Sequence, residues 1–335
     1  MKQKYFISKF IGDKSSRNVL YVHTPFCPSK CLYCDCSSYV PAEAAEISLH
    51  LMEIQNQIIG YQGIFDEVSF QQVYFGGGTP SILNVEQLES LFSYIPKFIS
   101  IPLKCIEVSP TTVTDEHLEL LQKYRFSFIS MGVQSINRSE CAKWNRPYVS
   151  RSELQNIAGH LIKSEIYFNI DLICFLDKGD IRDLYEFEKN LRFILAECNP
   201  SSVTIHQLYQ SHFTMERTYS LIQVLRDVLN CHSDYTCVNS LLEDGDQYFD
   251  TLHQAEYRLA TRDLEFTHYM WNKFASMPIK GYNILSLGYS NRFQTVSNAG
   301  NLLYHPGKDA IKLFKYDDFI DNEYCRIRKQ KSLPI

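Results

Sequence analysis

Short apolar runs rich in β-branched and aromatic residues recur along this chain, each followed by a stretch with helical spacing. Val19–His23, Gln71–Phe75, Leu103–Val108, Ser127–Gly132, Tyr167–Ile173 and Ser202–Leu208 read as strands. The intervals between them are long enough for a crossover helix, which lets successive strands run parallel. Asn84-Val-Glu-Gln87 opens one helix as a capping box, with Leu88, Leu91, Phe92 and Ile95 on one face; Asn137-Arg-Ser-Glu140 and Ser150-Arg-Ser-Glu153 open two more. Repeated strand-then-helix units demand parallel strands with helices outside, as a doubly wound sheet or a partial barrel. At 335 residues the chain has room for one large domain or two smaller ones.

In such folds chemistry gathers where strands end and the following loops begin. After the first strand comes Cys27-Pro-Ser-Lys-Cys31-Leu-Tyr-Cys34, with Cys36 close behind. Three cysteines at this spacing can bind three irons of a [4Fe–4S] cluster and leave the fourth iron open, since such clusters are ordinarily held by four thiolates. A zinc knot is the alternative; it wants a fourth Cys or His, which Cys36 or His23 could supply. The other seven cysteines are scattered, mostly among apolar residues, and read as ordinary reduced thiols. Gly76-Gly77-Gly78-Thr79-Pro80 closes the second strand, where missing side chains let backbone approach a ligand. Glu107 ends the third strand, Gln134 follows the fourth, Asp171 lies late in the fifth and His206 late in the sixth.

The cysteine turn and the glycine run together resemble the radical S-adenosylmethionine (SAM) superfamily. The resemblance is closer to its branch of oxygen-independent coproporphyrinogen III oxidases, haem chaperones and class C methyltransferases. It implies an α/β partial (β/α)6 TIM-type barrel over residues 19–212, an N-terminal arm over 1–18, and a smaller C-terminal α+β extension over 213–335 covering the barrel mouth. It implies that Cys27, Cys31 and Cys34 hold a [4Fe–4S] cluster, that Cys36 does not, and that the open iron chelates the amino and carboxylate groups of SAM. Gly76, Gly77, Gly78 and Thr79 would receive the methionine part. Glu107 would face its ammonium, Arg146 its carboxylate, and Gln134 and Asp171 the ribose hydroxyls. Tyr21 matches a family tyrosine beside the cluster. His206 stands where the family often has an aromatic and could touch substrate or carry a proton.

The implied activity is reductive cleavage of SAM to a 5′-deoxyadenosyl radical that abstracts hydrogen from a small organic substrate, with methyl transfer from a second SAM in one part of the branch. The implied partner is a low-potential electron donor such as flavodoxin or ferredoxin. Several departures point away from porphyrin decarboxylation and towards a tailoring enzyme. Cys174-Phe175-Leu176-Asp177 replaces the family's Gly-Leu-Pro, about eighteen residues precede the first strand, the chain ends at Ile335, and Thr267-His268-Tyr269-Met270-Trp271 lacks the full haem-chaperone motif. A haem-chaperone-like or coproporphyrinogen-oxidase-like tetrapyrrole protein is the competing expectation.

A net charge of −5 offers no field for nucleic acid or an anionic membrane. No apolar stretch approaches the ~18 residues of a membrane helix, and the first residues lack a signal-peptide core, so a cytoplasmic protein is expected. Beyond Phe213 an apolar helix is expected through Val228. An aromatic stretch follows with Phe266, Tyr269 and Trp271, and then a Gly/Asn-rich loop over Gly281–Gly307.

Overall fold

All six apolar runs form strands, and they lie side by side in chain order. In the computed structural model, which describes residues 2–34, 36, 38–175, 181–208, 215–237, 256–261, 282–288, 294–296, 302–304 and 311–313, these are β1 (Arg17–Thr24), β2 (Gln72–Gly77), β3 (Leu103–Val108), β4 (Phe128–Gln134), β5 (Tyr167–Phe175) and β6 (Ser202–Leu208). Each pairs in parallel with the next. The crossovers carry α2 (Ala44–Gly60) and α3 (Gln62–Glu67), α4 (Val85–Tyr94), α5 (Asp115–Lys123), α6 (Arg138–Lys143) and α7 (Arg151–Lys163), and α8 (Ile181–Phe193). Asn84 and Ser150 close reciprocal capping boxes with Gln87 and Glu153, and Asn137 accepts from the amides of Ser139 and Glu140. These helices therefore start where their side chains can satisfy the first free amides.

Strand side chains alternate between two faces. One face, largely apolar but with Lys104 and Thr24 buried on it, packs on the helices: Phe75, Phe92, Phe98 and Phe126 form an aromatic knot in which the Phe92 and Phe98 rings stack with centroids 4.9 Å apart. The other face carries a smaller apolar layer of Val19, Tyr21, Tyr74, Cys105, Phe128 and Ile284. Above that layer, towards the strands' C-terminal ends, the same face turns polar.

The last of those residues marks a correction. Gly281–Gly307, expected as a loop, contains β9 (Tyr282–Leu287), β10 (Gln294–Val296) and β11 (Leu302–Tyr304). Strand β9 pairs in parallel with β1, Tyr21 opposite Ser286, so the parallel sheet has seven strands. Asn283 and Ser286 interrupt its apolar pattern and hide it from a periodicity reading. Buried Asn283 donates to Asn18 Oδ1 across the β1 junction. Beyond β9 the sheet continues antiparallel through β10, β11 and β12 (Ile311–Leu313). On the far edge β6 pairs antiparallel with β8 (Glu256–Thr261), which pairs with β7 (Tyr235–Cys237). The described strands after residue 213 thus extend both edges of one sheet. The helix expected from Phe213 is α9 (Met215–Cys231), and the N-terminal arm contains α1 (Lys2–Gly12), which buries Phe6 and Phe10 completely. Phe266, Tyr269 and Trp271 lie outside the described residues.

Burial pushes the thiols of Cys105 and Cys198 up to about 12 and that of Cys141 to about 11. They stay protonated and suit packing, not ligation.

Asn169 ties the polar end of the sheet together. Fully buried, it donates to Asp171 Oδ1 (2.7 Å) and Ser130 Oγ (3.2 Å) and accepts from Ser202 Oγ (2.9 Å) and Thr204 Oγ1 (3.0 Å). One amide therefore bridges β4, β5 and β6. Asn169→Ala leaves buried hydroxyls without partners and should lower unfolding free energy by about 2–4 kcal/mol. An unchanged midpoint in urea unfolding would contradict this.

Candidate functional site

Parallel strands present all their C-terminal ends at one edge. There the inner face opens into a cleft of about 310 Å³, lined by the loop after β1, the glycines ending β2, and the last inward residues of β3 to β6. Cys27, Cys31, Cys34, Gly77, Gly78, Thr79, Glu107, Gln134, Arg146, Asp171 and His206 all line it. Two expected residues do not. Gly76 sits just behind, against Tyr74 and Glu107. Tyr21 belongs to the apolar floor, 2% exposed, its ring stacked on Tyr74 at 6.1 Å and its hydroxyl 3.1 Å from His23 Nδ1.

The cysteine loop is closed at its base and clamped from outside. The Cys27 amide donates to Tyr39 O (2.9 Å) and the Tyr39 amide to Pro25 O (2.8 Å), while Lys30 Nζ donates to Cys36 O (2.9 Å) and Ser38 Oγ (3.2 Å). The clamp is the C-terminal cap of α6. Asn145 is left-handed (φ 53°), and the Arg146 amide returns to Cys141 O (2.8 Å), as in a Schellman motif. The exposed cap backbone then takes the loop: Leu32 N–H donates to Trp144 O (3.0 Å), Ser29 Oγ to Asn145 O (3.2 Å), and Asn145 Nδ2 to Lys30 O (2.9 Å). The same cap sends Arg146 into the cleft, Nη1 3.9 Å from Cys31 Sγ and Nη2 on Gly132 O. Tyr33 packs edge-on against Trp144, and burial drives its phenol far above the ordinary value.

The glycine run is packed too tightly for side chains. At Gly78 a Cβ would lie 2.5 Å from Phe26 O and 3.0 Å from Cys27 Sγ; Gly77 has φ +115° with the His23 ring against it. The run therefore touches the cysteine loop directly, and Thr79 Oγ1 donates to Cys27 Sγ (3.5 Å). Glu107 faces the run, accepting from Gly77 N–H at Oε2 (3.1 Å) and from Tyr74 O–H at Oε1 (2.7 Å).

A register shift between Gly132 and Gln134 bulges β4, leaving Gln134 at φ 69°. Such bulges re-aim side chains, and Gln134 projects into the cleft. Across from it Asp171 accepts from Ser130 Oγ (2.9 Å). His206 is half-buried, two residues beyond Thr204 on the same face of β6. Gln134 Oε1 and Arg146 Nε are buried with no hydrogen-bond partner. Orphaned polar atoms in a polar cleft mark places for a ligand to bond.

Tyr74, Ser130, Thr204 and Asn145 were not singled out by sequence. Tyr74 and Thr204 occupy inward positions two residues before Gly76 and His206, and Ser130 lies four before Gln134, a signal available once strand phase is known. Asn145 carries the cap signature of Asn followed shortly by Pro147.

The chain belongs to the radical SAM superfamily: its family model matches residues 21–187, a span holding the cysteine loop, the glycine run, Glu107, Gln134, Arg146 and Asp171. Within that superfamily the similarity runs to coproporphyrinogen-oxidase-like proteins. The chain is 26% identical over 193 residues to the heme chaperone HemW of Buchnera aphidicola subsp. Schizaphis graminum, covering 56% of this chain and 50% of the relative. It is 28% identical over 190 residues to the oxygen-independent coproporphyrinogen III oxidase of Synechocystis sp., covering 56% and 40%. The chain thus spans about half the length of these curated relatives or less. The solved structure of coproporphyrinogen III oxidase (HemN) from Escherichia coli superposes with a TM-score of 0.70 at 20% identity, covering 98% of this chain and 82% of that one, and shows a shared fold. Among the described residues no helix is long and apolar enough to cross a membrane.

The family implies a [4Fe–4S] cluster and SAM. The cleft fits both. Cys27, Cys31, Cys34 and Cys36 line it, with the Arg146 guanidinium beside Cys31, and Gln134 Oε1 and Arg146 Nε are buried there without a hydrogen-bond partner. Anaerobic reconstitution should load about four irons. Cys27→Ala, Cys31→Ala or Cys34→Ala should abolish loading, whereas Cys36→Ala should keep it. A normal iron content in Cys31→Ala would refute this ligand set.

Proposed function

We propose that this chain is a radical SAM enzyme that cleaves SAM reductively and abstracts hydrogen from a small organic substrate. The observation carrying the proposal is that Cys27, Cys31 and Cys34, Gly77 and Gly78, the Glu107 carboxylate and the Arg146 guanidinium line a single cleft. Cys27, Cys31 and Cys34 would hold a [4Fe–4S] cluster, whose chemistry when bound and reduced would be to give SAM the electron for cleavage to methionine and a 5′-deoxyadenosyl radical.

This chain's residues bind and orient. Arg146 offers its guanidinium to the methionine carboxylate, for which its forked donors are suited. Glu107 offers a carboxylate to the ammonium. The two opposite charges thereby fit a zwitterion in one direction. Gly77 and Gly78 admit the methionine chain against backbone, and Gln134 and Asp171 accept from the ribose hydroxyls. His206, on the last parallel strand, is placed to meet substrate. Tyr21 supports the floor under Tyr74. The electron comes from a low-potential donor of the flavodoxin or ferredoxin kind. Methyl transfer from a second SAM is the finer reading within this activity.

A haem-chaperone role is the second reading, favoured by the similarity to HemW. Dithionite-reduced protein should form 5′-deoxyadenosine from SAM, slowly without substrate, while Cys34→Ala should form none. Arg146→Ala should weaken SAM binding about tenfold or more with iron content unchanged, since it removes a charge-assisted contact and no ligand. Chromatography of quenched anaerobic mixtures reads the product. No product above the Cys34→Ala background, together with one-to-one haem binding, would replace the enzyme reading by the chaperone one. S-adenosylhomocysteine formed alongside, once substrate is supplied, would mark methyl transfer.

A further inference from the structure

We propose that Tyr74 is a positioning residue that holds the Glu107 carboxylate in the orientation needed to receive the SAM ammonium. This inference rests on the reading of Glu107 as the ammonium contact. A glutamate has three side-chain torsions, and at a half-buried strand end nothing in its own chemistry selects one of them. Here both oxygens are occupied from the β2 side: Gly77 N–H donates to Oε2 at 3.1 Å and Tyr74 O–H to Oε1 at 2.7 Å. The second is in the range of a charge-assisted bond. Glu107, held by those bonds, lines the cleft.

The tyrosine is itself immobile. It is 2% exposed, packed in the floor layer with Cys105 and Phe128, and stacked on Tyr21 with the rings 17° from parallel. Tyr21 is anchored in turn, its hydroxyl 3.1 Å from His23 Nδ1. Gly76 lies between the phenol ring and the carboxylate, where a Cβ would stand 2.7 Å from Tyr74 Cε1 and 3.1 Å from Glu107. The tyrosine and the glutamate therefore close on each other with no side chain between. Burial, and after it the Glu107 charge, push the Tyr74 phenol well above its ordinary value, so it remains a donor at physiological pH. A phenylalanine would fill the same space and give the carboxylate nothing.

The test is a double-mutant cycle read by equilibrium titration of SAM into anaerobically reconstituted protein: wild type, Tyr74→Phe, Glu107→Ala and the double variant. Tyr74→Phe should keep wild-type iron content and unfolding midpoint and weaken SAM binding about tenfold. Glu107→Ala should weaken it further, and adding Tyr74→Phe to Glu107→Ala should change nothing more, because the hydroxyl acts only through that carboxylate. Wild-type affinity in Tyr74→Phe overturns the proposal, as does an equal loss in both backgrounds. Loss of iron in Tyr74→Phe assigns the residue to the scaffold and overturns it too. Wild-type affinity in Glu107→Ala is a separate result: it removes the ammonium reading itself, and the inference with it.

Discussion

The parallel register of seven strands is the constraint on which the rest depends. Because β9 and β1 to β6 run in one direction, every second side chain faces inward and every strand ends at the same edge. Reading across the sheet in register, Tyr21 meets Tyr74, Tyr74 meets Cys105, and Cys105 meets Phe128, which makes an apolar floor. Two residues further on, Glu107 meets Ser130 and Ser130 meets Asn169; beyond those, Gly132 meets Asp171 and Asp171 meets Thr204. The switch from apolar to polar happens at the same height on neighbouring strands. The apolar base and one hydrogen-bonding wall of the cleft follow from that alignment.

Loops then bring in what strands cannot. The cysteine segment is an irregular stretch whose backbone groups must find partners. It finds them on the α6 cap, whose left-handed Asn145 turns peptide groups outward and swings Arg146 inward. One cap therefore sets the position of the thiols and of the guanidinium beside them. The glycine run sets the opposite wall, close enough to Phe26 and Cys27 that a single methyl group would collide. The three pieces come from three different crossovers, and their mutual contacts are the reason they form one site.

Charge is arranged with equal economy. Glu107 and Arg146 carry opposite charges on the walls of the same cleft, and the acidic groups there accept hydrogen bonds from neutral donors: Tyr74 and Gly77 for Glu107, Ser130 and Asn169 for Asp171. Neutral donors stabilise a carboxylate without cancelling its charge.

Much of this was legible in the amino-acid sequence because it depends on local spacing. Short apolar runs rich in β-branched and aromatic residues marked the six strands. Asn84, Asn137 and Ser150 marked helix starts, since a cap acts on amides two or three residues away. The cysteine spacing marked the turn that lines the cleft. Strand β9 was not legible: Asn283 and Ser286 make sense only against Asn18 and Tyr21, whose place is set some 260 residues earlier. Nor was the role of Tyr74, which reads as one more core aromatic until β3 brings Glu107 beside it, or that of Tyr21, which takes its place in the floor from the sheet's inner face. Sequence determined the six successive strands, the capped helix starts and which chemistry-bearing residues sit at the strand ends. Only the tertiary structure decided which side chains meet, because hydrogen bonding and stacking act across space between strands that sequence distance leaves unrelated.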